Sequence, residues 1–128
     1  MVIDTSAIVA IRARRAAGGT SGESLVANPI RLLPVTCVLE TRMVMVSRRG
    51  EHALAEIDLW LSKIGAKIIP VDVELVDLAT QAWLTYGKGR HPAGLNFADC
   101  FSYALAKRAD DALLFIGEDF RQTDIETA

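Results

Sequence analysis

Val2-Ile3-Asp4-Thr5-Ser6-Ala7-Ile8-Val9-Ala10-Ile11 stands at the head of the chain. Val2-Ile3-Asp4 reads as a short buried strand, and it runs straight into two hydroxyl residues, either of which can cap a helix through Ile11. The same handover recurs outward from here. Beyond a basic stretch at 12–15 and a loop-like run at 16–22, Leu32-Leu33-Pro34-Val35 is a second strand. Pro34 lacks a backbone donor and favours a strand start or an edge. From Thr36 on, Leu39, Met43 and Val46 share a helical face that Arg48-Arg49-Gly50 closes. A helix over residues 51–64 sets Leu54, Ile57, Leu61 and Ile64 on one stripe, and Lys67-Ile68-Ile69-Pro70-Val71 is a third strand. Leu75, Val76, Ala79, Ala82, Trp83 and Tyr86 again repeat at helical intervals. Trp60 and Trp83 fall in such stripes, which predicts core packing for both. Residues 87–95 read as a glycine-rich loop. Asn96 then caps a helix through Lys107, with Phe97, Phe101, Ala104 and Leu105 inward, before a last strand, Leu113-Leu114-Phe115-Ile116. Strands alternating with one or two helices predict an α/β fold, a parallel sheet covered by helices on both faces.

At 128 residues the chain fits one domain, 1–128. Its 51% hydrophobic content excludes a disordered or fibrous protein. Cys37 and Cys100 make neither a disulfide framework nor a zinc motif, which predicts a reduced, cytoplasmic setting. No apolar run approaches the roughly 18 residues of a membrane span, and Met1-Val2-Ile3-Asp4 lacks the basic start of a signal peptide. A net charge of −2 argues against coating nucleic acid by bulk charge. It leaves room for a nucleic-acid enzyme whose acids work with metal cations.

In an open parallel sheet, ligands bind outside the carboxyl ends of the strands. Asp4 lies at that end of the first strand and Asp119 just past that end of the last. Asp99 falls in the first turn of its helix and Glu40 early in the helix after the second strand. Four acids from distant parts of the chain can thus reach one edge. Such a cluster is costly without counter-charge. Mg²⁺ or Mn²⁺ removes the conflict and suits carboxylate oxygens, which points to metal-assisted hydrolysis of a phosphodiester. Each acid also has an ordinary reading: Asp99 as helix decoration, Asp4 as a cap, Glu40 as a surface helix residue, Asp119 as turn chemistry.

Val-Ile-Asp-Thr-Ser-Ala at the start, Val-Leu-Glu at 38–40, Asn-Phe-Ala-Asp-Cys at 96–100 and Leu-Leu-Phe-Ile-Gly-Glu-Asp-Phe at 113–120 together resemble a PIN-domain ribonuclease. The closest likeness is to the VapC-type toxins of toxin–antitoxin pairs, and Tyr-Gly-Lys-Gly-Arg-His-Pro-Ala-Gly-Leu-Asn at 86–96 and Thr-Asp-Ile at 123–125 are similar to one subgroup. The resemblance covers nearly the whole chain. It implies a parallel sheet of about five strands between helices, a homodimer, and a Mg²⁺- or Mn²⁺-dependent endoribonuclease restrained by a cognate antitoxin. It also implies that hydrolysis leaves a 5′-phosphate and a 3′-hydroxyl. Carried over by motif, Asp4 and Asp99 are the chief metal ligands, Glu40 completes the site or orients the attacking water, and Asp119 is the fourth acid. Thr5 or Ser6 would hydrogen-bond Asp4 and hold its orientation.

Lys88, Arg90 and His91, on the loop before the Asp99 helix, read as contacts for RNA phosphates, or else as ordinary solvated loop residues. Residues 12–24, rich in Gly, Ser and Arg, depart from the acidic helical segment of the family; residues 16–24 are expected to be the least ordered internal part. Two rivals remain for comparison. A phospho-receiver domain needs paired acids after the first strand and a lysine after the last, and the chain has neither. A catalytically inactive PIN-like partner of an antitoxin or RNA would have lost a carboxylate, and none is lost.

Overall fold

The structure, a computed structural model, describes residues 1–16, 25 and 27–128. Its elements are β1 (Val2–Ile3), α1 (Thr5–Ala16), β2 (Arg31–Pro34), α2 (Val35–Arg49), α3 (Ala53–Lys63), β3 (Ala66–Ile69), α4 (Val73–Tyr86), α5 (Phe97–Ala109) and β4 (Leu113–Leu114), followed by a 3-10 turn at Phe120–Gln122. The strands pair in the order β3-β2-β1-β4, all parallel, as the alternation of elements predicts. The expected fifth strand is reduced to a single parallel bridge between Leu113 and Thr127. The C-terminal tail is bonded to β4 by Leu113 N–H to Glu126 C=O and by Ala128 N–H to Leu113 C=O.

A parallel sheet covered on both faces needs apolar side chains pointing both ways. β1 meets this with two residues. Val2 packs with Leu75, Ala79, Ala104, Leu105 and Leu113 toward α4 and α5. Ile3 packs with Ile8, Leu33, Cys37, Ile57 and Trp60 toward α1, α2 and α3. Pro34 departs from both expected positions, a strand start or an edge, since β2 is an interior strand and begins at Arg31. It is the last residue of β2, so its missing donor falls where the ladder ends.

Several helical faces are turned differently from the expectation. Leu39 and Met43 share a face, but each is 60% exposed. The covered side of α2 is instead Cys37, Val38, Thr41 and Met45. Phe97 is 77% exposed because it is the first residue of α5 and projects beyond the core. Trp60 is buried as expected, whereas Trp83 is half-exposed and carries the Arg90 guanidinium over its ring at 4.6 Å. α1 also continues through the basic stretch to Ala16. Arg12 fits there by reaching Glu56 at 3.6 Å and the Trp60 ring at 5.9 Å. The expectation of disorder at residues 16–24 falls, beyond Ala16, outside the described residues. No helix among the described residues is long and apolar enough to cross a membrane.

Candidate active site

Because all four strands run the same way, their carboxyl ends share one edge, and the helices that follow them start there. Asp4 leaves β1 with its backbone N–H bonded to the Leu114 carbonyl at 2.9 Å. Glu40 projects from the second turn of α2, and Asp99 from the third position of α5. Asp119 follows Gly117, whose φ of 117° gives the chain a turn that L side chains rarely allow. Phe120, buried against Phe115 at 5.1 Å, anchors that turn. Asp4, Glu40, Asp99 and Asp119 all line one open cleft of about 460 Å³. The structure thus brings together all four acids singled out in the sequence.

Asp99 does serve as helix decoration, and that geometry explains how the side chain is aimed. The Asn96 side chain accepts from Asp99 N–H, and Asp99 Oδ2 accepts from Asn96 N–H, both at 2.9 Å, closing a capping box. One carboxylate oxygen thereby fixes the helix start while the residue faces the cleft. Burial raises the Asp99 pKa from 3.8 to about 6, with Asp4, Glu40 and Asp119 adding repulsion against the pull of the Asn96 bond. None of the four acids has an ion-pair partner among the described residues. Nor do any three Asp, Glu, His or Cys side chains among those residues form a ready metal cage.

Asp4 is held at both oxygens. Oδ2 accepts from Ser6 N–H at 2.9 Å and from Ser6 Oγ at 2.6 Å. Oδ1 accepts from Ser102 Oγ at 2.7 Å, and Ser102 Oγ lies 3.2 Å from Cys37 Sγ. Ser6 Oγ also accepts from Ile116 N–H at 3.1 Å, tying Asp4 to the chain after β4. Of the two predicted orienting hydroxyls, Ser6 therefore touches Asp4. Thr5 instead donates to the Cys37 carbonyl at 3.4 Å. Burial, with Asp4 nearby, raises the Cys37 thiol to about 12, so it stays protonated.

The sequence reading missed three residues at this site. Ser102 and Cys37 sit beneath it, and Arg48 lines the same cleft as the acids. Spacing was the available signal: Ser102 is one turn after Asp99, Cys37 one turn before Glu40, and Arg48 two turns after Glu40. Val9, Ala10, Ala13 and Val44 make the apolar walls. Lys88, Arg90 and His91 are not among the residues lining the cleft. Arg90 donates to the Leu84 carbonyl at 3.3 Å while lying over Trp83. His91 accepts from Ala93 N–H at Nδ1 and stands edge-on to Tyr86, and Lys88 is exposed.

A parallel sheet with acids gathered at its carboxyl edge is the architecture of the PIN domain, and residues 1–126 match that family. The chain belongs to it. Over 127 residues the chain is 46% identical to ribonuclease VapC30 of Mycobacterium tuberculosis, covering 99% of this chain and 97% of that one. It is also 46% identical over 125 residues to the ribonuclease VapC of Mycolicibacterium smegmatis, covering 98% and 97%. Within the PIN family, then, this is a VapC-type ribonuclease. The crystal structure of M. tuberculosis VapC20, a sarcin–ricin-loop-cleaving toxin, shares the fold with a TM-score of 0.74 at 21% identity, covering 99% of this chain and 97% of that one.

Proposed function

We propose that the chain is a Mg²⁺- or Mn²⁺-dependent endoribonuclease, the toxin of a VapBC-type pair, acting as a single domain over 1–128. Its partners are an RNA substrate, a cognate antitoxin and a second copy of itself. The observation that carries this reading is the convergence of four carboxylates, without cationic partners among the described residues, on one cleft. The donor set fits a hard divalent ion, because every candidate ligand is a carboxylate oxygen. The proton that Asp99 retains up to about pH 6 is one such a cation would displace.

Asp4, Asp99 and Glu40 are the residues that would hold the ion. Bound there, it would supply Lewis acidity, acidifying water and neutralising charge on a phosphoryl group. Asp4 arrives oriented, since Ser6 and Ser102 fix both of its oxygens. Glu40 orients the water that attacks phosphorus, and exposed Asp119 completes the acidic set at the rim. Lys88, Arg90 and His91 contact RNA phosphates outside the cleft.

The test is cleavage of a single-stranded RNA by the purified protein with Mn²⁺, with Mg²⁺ and with chelator. Cutting should require the ion and fall by roughly two orders of magnitude or more in Asp99→Asn. Undiminished cutting in chelator, or by the variant, would overturn the assignment. RNA or antitoxin binding without any cutting would favour the inactive-partner reading instead.

A further inference from the structure

We propose that Ser102, backed by Cys37, is a positioning residue for Asp4, and that this buried relay sets the spacing of the three acid-bearing elements. The inference rests on the reading of Asp4 as a metal ligand. Ser102 and Cys37 are both fully buried, so neither can exchange its partner for bulk water, and Asp4, 2% exposed, meets them on its inner side. An ionised carboxylate only accepts hydrogen bonds, and a serine hydroxyl has one proton. Ser102 therefore directs that proton at Asp4 Oδ1, 2.7 Å away. Its oxygen is left to accept from the Cys37 thiol at 3.2 Å. The relay has one direction: Cys37 S–H to Ser102 O–H to Asp4.

Its placement gives it a consequence beyond Asp4. Ser102 lies one turn after Asp99 on α5, and Cys37 one turn before Glu40 on α2. The relay thus ties the end of β1 to the two helices that carry the other proposed ligands, directly beneath those ligands. Ser6 cannot do this, because its bonds hold Asp4 only to its own helix and to Ile116. Without Ser102, Oδ1 loses the donor that fixes the carboxylate plane relative to Asp99, and the site must reorganise to bind an ion. Partners of this kind, behind a ligand, commonly matter ten- to a hundred-fold in metal affinity.

The experiment is Mn²⁺ binding to the RNA-free protein, followed by electron paramagnetic resonance or calorimetry. The variants are Ser102→Ala, Cys37→Ala, Cys37→Ser and Asp4→Asn, with thermal unfolding as the check on fold. Ser102→Ala should weaken Mn²⁺ roughly ten-fold, and its cleavage deficit should shrink as Mn²⁺ is raised. Cys37→Ala should move affinity in the same direction by less, and Cys37→Ser, which keeps a donor, should restore it. A purely structural role would shift unfolding without shifting Mn²⁺ affinity. If Asp4→Asn loses Mn²⁺ while Ser102→Ala and Cys37→Ala both bind as wild type, the relay is wrong and the site stands. If Asp4→Asn binds Mn²⁺ as wild type, the site reading itself fails. Should Ser102→Ala not fold, the two Cys37 variants decide.

Discussion

Burial of Asp99 behind the first turn of α5, facing three other acids, holds its carboxyl near 6 when it is ordinarily at 3.8. The folded chain therefore binds more protons than the unfolded chain between about pH 4 and 6, and stability falls as pH rises through that window. Two pH units correspond to at most about 3 kcal/mol, lost in full above pH 6. Asparagine at this position removes the charge and keeps an acceptor for the Asn96 N–H, so the capping box survives. In chelator at pH 7.5, Asp99→Asn should melt several degrees above wild type, with the gap closing toward pH 5. Mn²⁺ should then raise the melting temperature of wild type alone. A variant that melts below wild type at pH 7.5 would show that Asp99 is not held against its charge. A carboxylate proposed to hold a metal is thus one that costs the metal-free fold stability.

At the scale of the element, α2 shows both the reach of sequence reading and where it stops. Periodicity placed the helix, and strand-then-helix logic put Glu40 near the right sheet edge. The same periodicity joined Leu39 to Met43 but could not say that this face lacks a covering layer, because that depends on elements distant in the chain. Phe97 and Trp83 failed for the same reason. Asn96 and Asp99 were legible because capping is local, whereas Ser102 and Cys37 were not, because their bond spans α2 and α5. In the sequence, Arg48 is legible only as a helix-ending cation. It stands two turns from Glu40, about 12 Å along the axis, exposed in the acids' own cleft and without an ion-pair partner among the described residues. A phosphate flanking the scissile one would lie within such a reach. Arg48→Ala should weaken RNA binding several-fold and reduce the salt slope of log K by about 0.7, the value for one contact to a single strand. Arg90, already stacked on Trp83, should contribute less to that slope than Arg48. Equal slopes for Arg48→Ala and wild type, from binding isotherms at four salt concentrations, would remove Arg48 from the RNA path.

For the molecule as a whole, the informative mismatch is apolar surface left uncovered. Val76, Trp83 and Phe97 are 42%, 46% and 77% exposed, and with Ala79, Cys100 and Phe101 they line a groove between α4 and α5. A lone exposed phenylalanine would need no account, but several large side chains around one groove mark an interaction surface. The second copy proposed above would suit it, because a two-fold interface sets the same patch of each chain against the other. This groove shares no lining residue with the acids' cleft, whose apolar walls come from α1 and α2. Wild type should therefore run as a dimer in light scattering at micromolar concentration, and Phe97→Glu, which places a charge at the centre of an apolar contact, should run as a monomer with an unchanged helical signal. A wild-type protein that stays monomeric up to about 100 μM, a concentration at which interfaces of ordinary size hold together, would sink the dimer and leave the groove to another partner.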